Sequence, residues 1–350
     1  MKLFTRKRVI IISSIITILI IGSSVMAYVI YAQLFNRVDE PLERQYYTYL
    51  RWSDIDQAKY PREEVWFHSG KNRLQGFIYG DTNDLGLVVV SHGLGGTADG
   101  YLSLIMYFVD KGWRVFAFNN TGVSGSEGKD MRGLPQSAID LDAALTYIEN
   151  SDRLGNLPLM LIGHSWGGHA VCAVLNWDHR VNAAVSFVGF NNGYEIFKEQ
   201  GGISAGAFFK LLSPHFWAIH RVKFGSVMKF TAVDGINKAN IPVMIVHSSD
   251  DRLVSDKSTA IYAYRDKITN PYVELVYFDG EEAAGHEFVF YSETIRLANQ
   301  SMRKYRAETP NPSFAQWVEE YQFDKIAANE LNGELMERIN TFFELTINNQ

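Results

Sequence analysis

Among 350 residues there is a single cysteine, Cys172, so no disulfide can close within the chain. It lies in an apolar stretch, 170–175, and is expected to be a small buried hydrophobe rather than a nucleophile. The nine histidines include no H-E-x-x-H motif and form no zinc pattern with cysteine, so no metal is expected. No P-loop is present, and no G-x-G-x-x-G follows a strand-like run, which argues against a nucleotide-binding protein. No cofactor is called for. Positive charge is not in excess either. With 33 Lys and Arg against 39 Asp and Glu, the net charge is −6, which gives no electrostatic reason to bind nucleic acid. Internal repeats and low-complexity segments are also lacking.

What is there is a globular composition, 47% apolar and 13% aromatic, enough for a large core with an apolar pocket. The first feature along the chain is a basic cluster, Lys2, Arg6, Lys7 and Arg8, after which no charge occurs until Arg37. Residues 9–31 are strongly apolar. As a helix rising ~1.5 Å per residue they would cross a hydrocarbon core of roughly 30 Å. Basic residues stay on the cytoplasmic side, so residues 1–8 are expected there and the rest outside. Two readings stay open. The segment is a retained membrane anchor, or it is a signal peptide cut after Val25-Met26-Ala27, which would release the chain. Residues 32–62, punctuated by Pro41 and Pro61, read as a stalk leading into a folded domain over 63–350.

From residue 63 onward, short β-branched runs alternate with longer amphipathic ones. Eight strands are expected: 65–68 and 74–79 as a hairpin, then 86–91, 113–118, 157–163, 181–190, 241–247 and 273–278. Helices are expected over 101–111, 134–149 and 167–177. This alternation predicts an α/β fold with a doubly wound, mostly parallel sheet, whose ligand site lies at the carboxyl ends of the strands. Two stretches exceed a simple crossover: 191–240, rich in aromatics, and 291–332, helical with a break at Pro310 and Pro312. The chain closes with Leu335, Ile339, Phe342 and Phe343 at helical spacing.

Gly163-His164-Ser165-Trp166-Gly167 fits G-x-S-x-G, and it stands between an apolar strand (LPLMLI) and a helix opening (GGHAVCAVL). A strand that turns sharply into a helix holds its serine in a strained conformation with the hydroxyl exposed. Ser165 is therefore the candidate nucleophile. Trp166, next in the chain, would donate one N–H to an oxyanion. The second donor is assigned to Leu94, in the glycine-rich loop 91–96 after the 86–91 strand, with His92 as a structural residue of that loop. The general base must be a histidine oriented by a carboxylate. His286, just past the last strand, is preferred over His164, His169 and His247; His164 is expected to point away from the site. In the loop 247–254, Asp251 is preferred over Asp250 as the carboxylate, with Glu281 and Glu282 as weaker rivals.

The order Ser165, Asp251, His286 and the strand–elbow–helix setting resemble the α/β-hydrolase superfamily. Within it the chain resembles bacterial serine hydrolases grouped with monoacylglycerol lipases and serine aminopeptidases, over roughly 62–345. The resemblance implies that 191–240 forms a small helical cap. Asn119-Asn120-Thr121-Gly122-Val123-Ser124-Gly125-Ser126 is similar to the family's D-x-R-G-x-G-x-S stretch, with Asn119 and Thr121 in place of the usual charged residues. Ser248 stands where the family has glycine. The expected substrate is a small-molecule carboxylic ester with an apolar group. A peptide or amide substrate and an inactive membrane-tethered interaction protein are the alternatives. The second of these would be expected to lack part of the triad.

Overall fold

Runs such as 87–91 and 159–164 carry no polar face, so as strands they must be covered on both sides. A computed structural model describes residues 6–39, 49–310 and 312–348 and places these runs at the centre of an eight-stranded sheet. The strands are β1 (Arg62–Ser69), β2 (Asn72–Tyr79), β3 (Leu87–Ser91), β4 (Arg114–Phe118), β5 (Leu159–His164), β6 (Ala183–Phe187), β7 (Val243–Ser248) and β8 (Val273–Phe278). Their spatial order is β1-β2-β4-β3-β5-β6-β7-β8. β1 and β2 form an antiparallel hairpin, β2 lies antiparallel to β4, and all later pairings are parallel.

Helices cover both faces. On one, α2 (Leu102–Asp110) and the last helix, α10 (Gly333–Asn348), pack Ile105, Phe108, Ile339 and Phe343 against Val88, Val90 and Ile162. On the other, α3 (Gln136–Glu149), α4 (Trp166–Ala173) and α6 (Ala232–Ala239) pack Leu141, Leu145, Val171 and Ile236 against Val89, Phe116 and Leu161. The odd and even residues of one strand thus feed two cores. Each fully buried aliphatic side chain contributes roughly 1.5–3 kcal/mol relative to exposure.

Between β6 and β7 the chain leaves the sheet as α5 (Gly193–Phe224). Asn192 caps its start by accepting from the N–H groups of Tyr194 and Glu195. The helix breaks at Gly206, whose φ of 50° a side chain would resist. Pro214 has no N–H for the Lys210 carbonyl, and the Ser213 hydroxyl donates to it instead at 2.9 Å. Phe197, Phe209 and Phe216 of this helix form an aromatic cluster over the carboxyl edge of the sheet.

The N-terminal helix α1 (Arg6–Leu34) is long and apolar enough, over 8–34, to cross a membrane. Residues 1–5 of the expected basic segment lie outside the described residues, as do 40–48 of the segment read as a stalk. The described part of that segment is laid on the body. Asn36 bridges to Asp130 and Val38 to Val123, and the Arg37 guanidinium donates to the carbonyls of Ser126 and Gly128 at 2.7 and 3.0 Å. The stretch 291–332 forms α7 (Glu293–Glu308), α8 (Phe314–Tyr321) and α9 (Lys325–Ala328), with a small core of Ala298, Met302 and Trp317.

Candidate active site

Ser165 sits where β5 ends and α4 begins, with φ 55° and ψ −107°. Its N–H donates to the Phe187 carbonyl at 2.8 Å, which fixes the turn to the neighbouring strand. The two flanking glycines are required by close approach. A Cβ on Gly163 would overlap the Gly167 carbonyl, and one on Gly167 would overlap the Ser91 carbonyl.

The Ser165 hydroxyl lies 2.7 Å from His286 Nε2, and His286 Nδ1 lies 2.7 Å from Asp251 Oδ2. A carboxylate only accepts, so Nδ1 carries the proton and Nε2 is free to accept from the serine. His286 follows β8 on a loop in which Gly285 takes φ 66°. Asp251 follows β7. Its other oxygen accepts from the N–H groups of Leu253 and Val254 at 2.8 and 2.9 Å. Burial alone would raise the Asp251 carboxyl. The His286 ring and these two N–H groups outweigh it and hold the pKa below the ordinary carboxylate value.

Of the residues singled out in the sequence, Ser165, Asp251 and His286 come together. Asp250 has another partner set. One of its oxygens accepts from the Ser248 hydroxyl and from the Gly285 N–H, both at 2.7 Å, while Ser248 Oγ accepts from Ala284 N–H at 2.9 Å. The serine in place of the family's glycine thus helps latch the loop that carries His286. Glu281 and Glu282 stand exposed in a short 3-10 turn beyond β8. Leu94, in the turn closed by Gly96 N–H and Gly93 C=O at 3.0 Å, and Trp166, at the first helical position of α4, both border the cavity over Ser165. First-turn N–H groups have no intrahelical acceptor. The Trp166 indole is buried and donates to Leu134 O at 2.6 Å.

His164 does not turn away from the site. Its ring centroid is 5.3 Å from that of His286. Its Nε2 lies 2.8 Å from the His286 carbonyl, and its Nδ1 2.8 Å from the Tyr101 hydroxyl, which accepts from Gly93 N–H at 2.9 Å. The carbonyl can only accept, so Nε2 donates and Nδ1 takes the Tyr101 proton. One neutral ring thereby ties the Leu94 loop to the backbone of His286. Burial, the largest influence, pushes its pKa down to about 3. His164 is visible in the motif, but nothing in the sequence pairs it with Tyr101.

The surrounding loops are held by neutral groups around one buried acid. Asp140 accepts from the Ser69 hydroxyl at 2.6 Å, the Thr121 N–H at 2.7 Å and the Gln136 amide at 2.8 Å. Asn119 accepts from Ala98 N–H at 2.8 Å. His92 sits beneath, its Nε2 accepting from Asn120 N–H at 3.0 Å and its Nδ1 2.8 Å from the Gly93 carbonyl. His169 donates to Phe190 O at 2.9 Å, His247 stacks on Tyr262, and Cys172 is buried, its thiol pushed up to about 12 by burial. Among the described residues no group of three or more His, Cys, Asp or Glu is arranged to hold a metal.

A cavity of about 600 Å³ opens above Ser165. Leu94 and His286 form its floor, Phe197, Phe209 and Phe216 its roof, and Ile30 of α1 part of its side.

A family model described as serine aminopeptidase, S33, matches residues 82–207, which hold the Leu94 loop, the turn at Ser165 and the start of α5. That match covers less than half of the chain, and the eight-stranded sheet in this order, with helices on both faces, is the α/β-hydrolase fold. Among α/β-hydrolases of known structure it is similar to the Pyrococcus furiosus esterase Pf2001, at 16% identity and a TM-score of 0.53, covering 82% of this chain and 98% of that one. Two curated relatives are similar over shorter stretches. The quorum-quenching protein AidA of Acinetobacter baumannii is 27% identical over 37% of this chain and 45% of its own length. The lysophosphatidylserine lipase ABHD12 of Danio rerio is 24% identical over 60% of this chain and 56% of its own. The chain spans about half the length of these two relatives.

Proposed function

We propose that the protein is a serine hydrolase that cleaves carboxylic esters through an acyl-enzyme on Ser165. The observation that carries this reading is the hydrogen-bonded series from Asp251 through His286 to Ser165, both links at 2.7 Å, beneath an apolar cavity.

His286 Nε2 takes the Ser165 proton as the oxygen bonds to the ester carbonyl carbon. The carbonyl oxygen becomes an oxyanion, which the Leu94 and Trp166 N–H groups stabilise. The bond to the alkoxy oxygen breaks as His286 returns the proton to the leaving alcohol. Water then adds to the acyl-enzyme, His286 taking its proton and passing it back to Ser165 as the acid departs. Asp251 stays ionised, fixes the tautomer and stabilises the imidazolium.

We further infer that α1 is retained as a membrane anchor, with residues 1–8 cytoplasmic and the catalytic domain outside. The 8–34 helix and the basic residues ahead of it support this. Fractionation with N-terminal sequencing tests it, and a mature chain beginning near residue 28 would favour secretion instead.

The peptidase alternative draws on one feature. Glu287 borders the same cavity, and a carboxylate can hold a substrate ammonium. Parallel panels of p-nitrophenyl esters and aminoacyl p-nitroanilides separate the two readings. For the ester reading, Ser165→Ala is expected to abolish turnover and labelling by a fluorophosphonate. Wild-type esterase rates in that variant would refute it.

A further inference from the structure

The end of α1 is built into the catalytic body. Ser23 and Ser24 Oγ lie 2.9 and 3.0 Å from the two ring nitrogens of His215 on α5. One turn on, Ala27 is buried, and then Tyr31 and Phe35. The Tyr31 ring sits 5.1 Å edge-on from His220 and 5.8 Å from Phe197. Its hydroxyl donates to the Arg132 carbonyl at 2.9 Å. Small residues at 23, 24 and 27 let the two helices approach closely, and spacing of four keeps the stripe on one face. A helix bound only to lipid would have no use for a directed bond to Arg132 or for two serines on one histidine.

The neighbouring row of the same helix holds Ile30 and Leu34. Both border the cavity over Ser165, together with Phe35, and Phe197, Phe209 and Phe216 of α5 line the same cavity. Ile30 packs against that cluster and Leu34 stands at its exposed rim. Tyr31 packing fixes the rotation of α1, which leaves Ile30 half-buried toward the cavity rather than toward solvent.

We propose that the last two turns of α1 are a substrate-binding wall of the active site, with Ile30 and Leu34 setting the length and bulk of the apolar group accepted. The ligand class is an acyl or aryl group that packs between Ile30 and the α5 aromatics while its carbonyl reaches Ser165. A segment that would serve as a membrane anchor is then also a determinant of specificity. This inference rests on the ester-hydrolase reading for its kinetic test and has a second test that does not.

In the full-length protein in detergent micelles, kcat/KM is measured for p-nitrophenyl esters from acetate to dodecanoate. Ile30→Trp fills the wall and is expected to lower the dodecanoate-to-acetate ratio at least tenfold. Ile30→Ala opens the wall and is expected to move the preferred acyl length upward. Equal losses across the series, meaning that α1 is only a structural support, overturn the proposal, and so does an unchanged profile in both variants. If the wild-type chain cleaves no ester of the series, the hydrolase reading fails and the wall is tested by binding alone. Full-length Ser165→Ala protein should then bind cis-parinaric acid above protein-free micelles, and adding Ile30→Trp should weaken that binding at least fivefold. Absent or unaltered binding overturns it.

Discussion

The carboxyl edge of the sheet and the α1–α5 roof enclose one cavity but are held together differently. At the edge, position is set by directed bonds. Asp251 accepts from two N–H groups and from His286, Asp250 and Ser248 latch the following loop, and His164 joins two loops through one ring. In the roof, a few bonds fix α1, from Tyr31 to Arg132 and from Ser23 and Ser24 to His215, and the surface that faces the cavity is set by packing. Phe197 touches the rings of Tyr31, Phe209, Phe216 and His220 at 5.0–5.8 Å, and α5 breaks in the middle at Gly206. Directed bonds tolerate little displacement, whereas packed aromatics tolerate exchange at similar volume. The edge is therefore suited to fixing a reaction and the roof to choosing its substrate.

Substitutions can break that division. Asp251→Asn keeps the shape but reverses the tautomer of His286, so kcat is expected to fall about 10⁴-fold, by the same factor for every acyl length. A loss that depends on acyl length would show that the edge also selects. His164→Phe removes both links of the neutral ring. Each lost buried bond costs about 1–3 kcal/mol, and if half of that reaches the transition state, kcat should fall roughly tenfold with KM little moved. Steady-state kinetics on one short ester checks this. Phe197→Ala in the roof should cost ~3 kcal/mol of stability, read by urea unfolding, while changing acyl preference more than kcat on acetate. A uniform collapse of kcat would erase the distinction between the two regions.

The last test concerns acid. Burial holds His92 and His169 down to about 4 and His164 down to about 3. The unfolded chain takes up these protons near the ordinary value of 6.5, and the native chain does so only at about 4 or below. The contribution of these rings is thus fully present above pH 6.5 and is lost as pH drops toward 4. The urea midpoint should be lower at pH 5 than at pH 7, and an equal midpoint would contradict the assignment of three neutral rings. Asp251, held below its ordinary value, keeps its charge through that window.

The sheet was legible because strands covered on both faces have continuous apolar sequences, and all eight expected strands overlap those of the structure. The turn at Ser165 was legible because close approach demands Gly163 and Gly167 at fixed spacing. Asp251 and Asp250 stand side by side, and only the three-dimensional loop shows that one meets the ring and the other its loop. The bonds from Tyr101 to His164 and from Ser69 to Asp140 cross 63 and 71 residues, a separation no local pattern encodes. In α1 the difficulty is the reverse. A helix apolar on every side has no periodicity to reveal which face meets α5, and the clues, Ser23, Ser24 and Ala27, are too common in apolar helices to stand out.

Ser165 occupies backbone angles that side chains avoid, at a cost on the order of 1–3 kcal/mol. Glycine would rest there without that penalty. Selection for durability alone would thus favour replacing the one hydroxyl on which the proposed turnover depends. Lineages freed from the need for turnover should discard this serine early while keeping the flanking glycines, since the crowded turn needs those whether or not anything is hydrolysed.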